Sequence, residues 1–266
     1  MILTRTRALL LLCAVAAQLV NSCGTSHKTE ARGWPGVASA VRVQWSADPG
    51  VGLTEGVAVP VRAYLESYDL VEFTGNFGNA YPGFLDAVPP NEPTSASDKT
   101  SAWDRRPTDR YPTGWNLVGN LRFHIQSVES TSRGATVTLC EYRYGLGQRK
   151  PDGTYVPYLS TGWSSDRGIF GVRLDLTDVQ EKSEADLAPQ RGPALSPNAN
   201  VFGGWQIVGY LTTSSAGSTD WPTKGQVVSA CVSGAPDSLE RRKDLASGPF
   251  TAADFASSPA EPGWPE

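Results

Sequence analysis

The chain has 266 residues, a formal charge of −4 and an apolar fraction of 39%, which leaves room for one large domain. Its 27 Gly and 20 Pro favour strands and long loops around a modest core over a helical bundle. No cluster of Lys and Arg is dense enough to make a phosphate-binding stripe, so nucleic acid is not expected as a partner.

Residues 1–22 have the three parts of an export signal. Arg5 and Arg7 give a positive start, Ala8 to Val20 form an apolar run, and small or polar residues follow. The run is too short to span a bilayer comfortably. The sequence Val20-Asn21-Ser22-Cys23 resembles the bacterial lipobox, with Asn21 its one departure from the usual small apolar residues. The resemblance implies a diacylglyceryl group on the sulfur of Cys23, cleavage just before it, and attachment to the outer face of the cell membrane. Residues 23–40, which include the polar run Gly24 to Arg32, then read as a tether. An ordinary signal peptide cut near Ser22 would instead release the chain. Arg exceeds Lys, and Ala, Gly, Pro and Trp are plentiful, as in the exported lipoproteins of GC-rich actinobacteria that this chain resembles.

Residues 41–234 read as a single domain. Val41 to Trp45 alternates as a short strand. Val61, Tyr64, Leu65, Tyr68 and Val71 recur at helical spacing and predict a helix over Val57 to Thr74, with Pro60 in its first turn and Gly75 as its stop. Tyr81 to Val88 reads as a second, short helix. Pro89 to Gly114 has no apolar period and reads as an irregular loop. Strands are predicted over Leu117 to Val128, Ala135 to Tyr144, Tyr155 to Leu159, Gly168 to Leu176, Gly204 to Thr212 and Gln226 to Ser233. Residues 235–266 read as a polar, Pro-containing tail lying on the surface or disordered.

Cys13 falls in the leader and Cys23 at the cleavage site, leaving Cys140 and Cys231 in the mature chain. In an oxidising compartment two thiols most simply make one disulfide; the alternative is two separately buried thiols.

Helices near the N-terminus followed by long strands predict an α+β domain, with the helices packed on a curved, mainly antiparallel sheet of four to six strands. The order of elements over residues 57–212 resembles the cone-shaped fold of the nuclear-transport-factor-2-like proteins. That resemblance implies a pocket between helix and sheet, and in some members a His or Asp general base at its mouth. A β-sandwich and an unrelated α+β sheet are the alternatives.

The chain has two His, and His27 lies in the tether, so only His124 is available to a formed site. It shares a strand face with Arg122 and Gln126. No active-serine, zinc-protease or P-loop motif is present, and one His with two paired Cys cannot supply a zinc site, so no metal or cofactor is expected. Glu141 and Asp175 are strand carboxylates, more often solvated than catalytic. The aromatics Tyr142, Tyr144, Tyr155, Tyr158 and Trp163, with Trp205 and Tyr210, either fill a sheet core or line a ligand pocket. Arg122, His124, Tyr142, Tyr144 and Trp205 are therefore the candidate pocket residues, and none is assigned a catalytic role.

The expected function is a lipid-anchored envelope protein with a non-catalytic domain that binds a small molecule, a lipid or a protein partner. One alternative is a pocket enzyme using His124 and a carboxylate for proton transfer. The other is a scaffold acting through the loop 89–114.

Overall fold

The alternation of Leu121, Phe123 and Ile125 is realised in β2 (Asn116–Thr131), where all three side chains are buried. The computed structural model describes residues 33–91, 104–107, 114–159, 162–179, 188–214 and 221–266, all within one compact unit, Ala31–Glu266. Cys23, the leader and most of the tether and of the loop 89–114 lie outside the described residues.

Around β2 the described residues build a seven-stranded sheet, one strand more than the upper expectation, and the class is α+β as predicted. The other strands are β1 (Ala40–Ala47), β3 (Gly134–Tyr142), β4 (Leu146–Arg149), β5 (Tyr155–Pro157), β6 (Ile169–Asp178) and β7 (Trp205–Thr212). Only the β1–β2 pair is parallel. The registers place β1 along one side of β2, with β4 and then β3 end to end along the other. At the changeover Gly119 has φ +105°, and a Cβ there would lie 2.2 Å from the Gly145 carbonyl oxygen. Only glycine lets β2 pass this bend.

The helix α1 (Ala58–Thr74) forms where the periodicity predicts, and Gly75 closes it in the left-handed conformation, donating to the Val71 carbonyl at 2.8 Å. It is buried on nearly every side, carrying Arg62, Glu66 and Asp69 into the interior along with its apolar residues. The sheet face beneath it presents Leu121, Phe123, Val137, Leu139, Val172 and Leu174 as one core. The short helix α2 (Phe84–Ala87) packs Phe84 against Tyr64 of α1.

Two sequence expectations are corrected. Gln226–Ser233 is not a strand: Lys224–Ser233 is the helix α3, closed by the Gly234 amide bonding the Ala230 carbonyl at 2.8 Å. Val227, Val228, Cys231 and Val232 fall at helical spacing, and packing against β3 and β6 overrides the strand preference of three valines. Nor is 235–266 a surface tail. It forms the helix α4 (Leu239–Ser247) and a 3-10 turn, and it buries Leu245, Phe255 and Trp264. The domain likewise begins ahead of residue 41, since Trp34 and Ala38 are in the core.

With α3 and α4, the outer sheet face carries a second, smaller core of Cys140, Tyr142, Tyr144, Ile169, Cys231, Leu245 and Phe255. Cys140 and Cys231 form the expected disulfide, with Cα atoms 5.4 Å apart.

Candidate functional site

The predicted pocket residues divide between the two faces of the sheet. Arg122, His124 and Tyr142 stand together on the outer face, in register across β2 and β3, and line a shallow cleft of about 330 Å³. Arg122 is paired with Asp237 and donates to Gln44 at 3.1 Å. Tyr142 is anchored through its hydroxyl to the Cys231 carbonyl at 3.2 Å, and burial pushes its pKa up to about 12. Tyr144 stacks edge-on with Tyr142 inside the second core. Trp205 packs against the main core on the opposite face.

His124 does meet a carboxylate, but neither of those considered from sequence. Its Nε2 lies 3.1 Å from Asp48 Oδ1 and its Nδ1 2.9 Å from the Ser46 hydroxyl. Parallel register sets Ser46 directly beside His124. Glu141 faces α1, on the far side of the sheet from His124. Asp175 accepts from Thr136 at 2.8 Å and pairs with Arg173 at 3.0 Å on the outer face.

The main-core face holds the more developed site. Where the second half of α1 passes over β3, β6 and β7, an open cavity of about 300 Å³ is lined by Tyr68, Glu72, Asp104, Glu141, Arg143, Phe170, Tyr210, Thr212 and Ser214. Helical spacing aligns Asp69 and Glu72 toward the end of β3, and the Arg143 guanidinium sits between them and Glu141. It bonds Asp69 and Glu141, and Glu72 at 2.9 Å. Asp69 and Glu141 are buried, whereas the Glu72 side chain is 37% exposed.

Burial raises the pKa of Asp69 and of Glu141, against the opposing pull of Arg143. Burial also disfavours the charge on Arg143, but Asp69, Glu141 and Glu72 together outweigh it and hold the guanidinium protonated. Three carboxylates thus share one cation, and Asp104 adds a further acid to the lining.

Tyr210 closes the wall from β7. It is 7% exposed, and its ring packs on Tyr68 at 4.8 Å and Tyr64 at 5.7 Å. Among the described residues its hydroxyl has no hydrogen-bond partner, and burial holds its pKa well above the usual phenol value. The ring is buried, while the hydroxyl oxygen keeps access to the open cavity.

Of these residues, Glu141 and Tyr210 carried sequence signals, as a strand carboxylate and as one of several aromatics. Asp69 and Glu72 carried a subtler one. A helix apolar on most of its circumference that also bears carboxylates must satisfy them inside the fold. Arg143, one residue beyond β3, had no signal of its own.

No family model, curated protein or solved structure shows significant similarity to this chain.

Proposed function

We propose that the domain is a non-catalytic receptor for a small molecule, held in the cavity between α1 and the ends of β3, β6 and β7 and tethered to the outer face of the cell membrane through Cys23. One observation carries the binding reading: an open cavity of about 300 Å³ that the described residues leave unfilled, walled by the largely buried Tyr210 side chain, whose hydroxyl has no partner among them. Apolar walls with a few convergent polar groups are the usual make-up of a ligand pocket. Helix across sheet with a pocket between them also fits the cone-shaped resemblance read from residues 57–212. Among the described residues no helix is long and apolar enough to cross a membrane, so attachment in this reading rests on the lipid at Cys23.

Native mass spectrometry of the protein purified from its own host tests the binding reading. A retained adduct that is lost in Tyr210→Ala is the expected result. A clean apo mass, together with no response to a broad fragment library, overturns it.

The contact of Ser46, His124 and Asp48 favours a second reading, proton transfer or nucleophilic chemistry at the outer-face cleft. Its test is labelling by a fluorophosphonate probe, with and without Ser46→Ala. An unlabelled wild-type protein removes it.

A further inference from the structure

We infer that the ligand of the α1–β7 cavity is an organic cation, a small molecule carrying a protonated amine on a compact apolar body. The inference rests on the pocket reading above and names its ligand class.

The charge balance comes first. Arg143 is the one cation lining the cavity among the described residues, and it is fully engaged by Asp69, Glu141 and Glu72. It has no charge left to offer an anion. Glu72 is part exposed and Asp104 exposed, so both carboxylates remain open to an incoming group. The neighbouring guanidiniums point elsewhere: Arg105 donates to the carbonyls of Val208 and Pro90, and Arg106 to those of Leu85 and Val88. Among the described residues an anion entering here would face the Glu72 and Asp104 carboxylates with no unengaged cation in the lining, whereas a cation would be drawn to them.

The lining supplies the second, independent ground. The Tyr210 side chain is nine-tenths buried in the cavity wall, and neither its hydroxyl nor that of Tyr68 beside it has a hydrogen-bond partner among the described residues. An ammonium carries three N–H donors, so one cationic head can bond a carboxylate strongly and still donate to a phenol oxygen beside it. The rings of Tyr68, Tyr210 and Phe170 give the body of such a ligand an apolar, electron-rich wall. A bare metal ion fits less well. The oxygens of Asp69 and Glu141 are turned to Arg143, and the described residues hold no group of three metal-ligating side chains.

An isosteric series separates charge from shape: benzylamine, benzyl alcohol and benzoate, titrated by calorimetry and NMR into the full-length chain in detergent. Benzylamine is expected to bind at least about tenfold more tightly than the neutral and anionic analogues, and less tightly as salt is raised. Glu72→Gln is expected to reduce benzylamine binding, and Tyr210→Phe to weaken it about two- to tenfold with an unchanged melting profile. Benzyl alcohol or benzoate binding as well as benzylamine, with the same Tyr210 dependence, would overturn the cation and leave the pocket standing. Failure of all three to bind would also overturn the cation. The pocket falls with it only if native mass spectrometry and the fragment library are blank as well.

Discussion

Glu66 is the residue through which distant parts of the chain are joined. From the middle of α1 it accepts hydrogen bonds from Trp45 in β1 at 2.8 Å, from the Tyr81 hydroxyl at 2.7 Å and from Trp264 at 2.8 Å, while Trp34 donates to Tyr81. One turn earlier, Arg62 lies 4.1 Å over the Trp264 ring and donates to the carbonyls of Pro262 and Gly263. Trp264→Ala should therefore remove a large buried side chain and strip partners from two buried charges. A loss of at least about 3–5 kcal/mol is expected by urea denaturation. A loss below about 1 kcal/mol would show that this network does not hold the segment.

The buried acids Asp69 and Glu141 set a pH dependence of unusual direction. Burial raises both, so the folded state holds their protons more tightly than the unfolded chain does. The stability this gives is full below the ordinary carboxylate range and is lost as pH rises through the raised values. Asp152 and Asp254 act oppositely. Hydrogen bonds from Thr154 and Thr251 lower them, and their contribution is lost only below about pH 4. The urea midpoint should accordingly be higher near pH 5 than near pH 8, and Asp69→Asn should flatten that slope whatever its effect on the midpoint itself. A midpoint that rises steadily from pH 5 to pH 8 would refute the assignment.

At the scale of elements, α3 is the one most dependent on a covalent bond. Cys231 is its only fully buried residue, so the link to Cys140 in β3 does what an apolar stripe does for α1. A Cys140→Ser, Cys231→Ser double variant should lose up to about 4–5 kcal/mol in the chain-entropy model. Amide exchange over 224–233 should accelerate more than in β2 or α1; uniform acceleration would show that α3 is not separately anchored. The elements also differ in how far the sequence revealed them. For α1, β2, β6 and β7, periodicity and burial agree, so their bounds were legible to within a few residues. For α3, three valines spoke for a strand while their spacing spoke for a helix, and only the neighbouring sheet decided. The cavity was half legible. Glu141 and Tyr210 carry suggestive chemistry on their own strands. The approach of α1 to the end of β3, which brings Asp69 and Glu72 to Arg143, is set by tertiary packing that no local pattern encodes.

At the scale of the molecule, the sheet separates two regions with different chemistry. One face holds α1, the main core and the acidic cavity; the other holds α3, α4, the disulfide and the cleft of His124. The proposed address can be tested separately from either. Wild-type protein should enter the detergent phase on partition, and Cys23→Ser should remain aqueous. Equal partition of both would remove the anchor while leaving the cavity untouched.

The segment around Trp264 also lies against β1. Glu261 exchanges backbone bonds with Val43 and Trp45, covering the strand's free edge. Arg62 thus waits for carbonyls 200 residues further along the chain. A polypeptide made from its N-terminus therefore has the residues of all seven strands in hand before those that complete the bonds of Arg62, Glu66 and the edge of β1. The domain cannot lock into its final form until residues 261–264 have emerged.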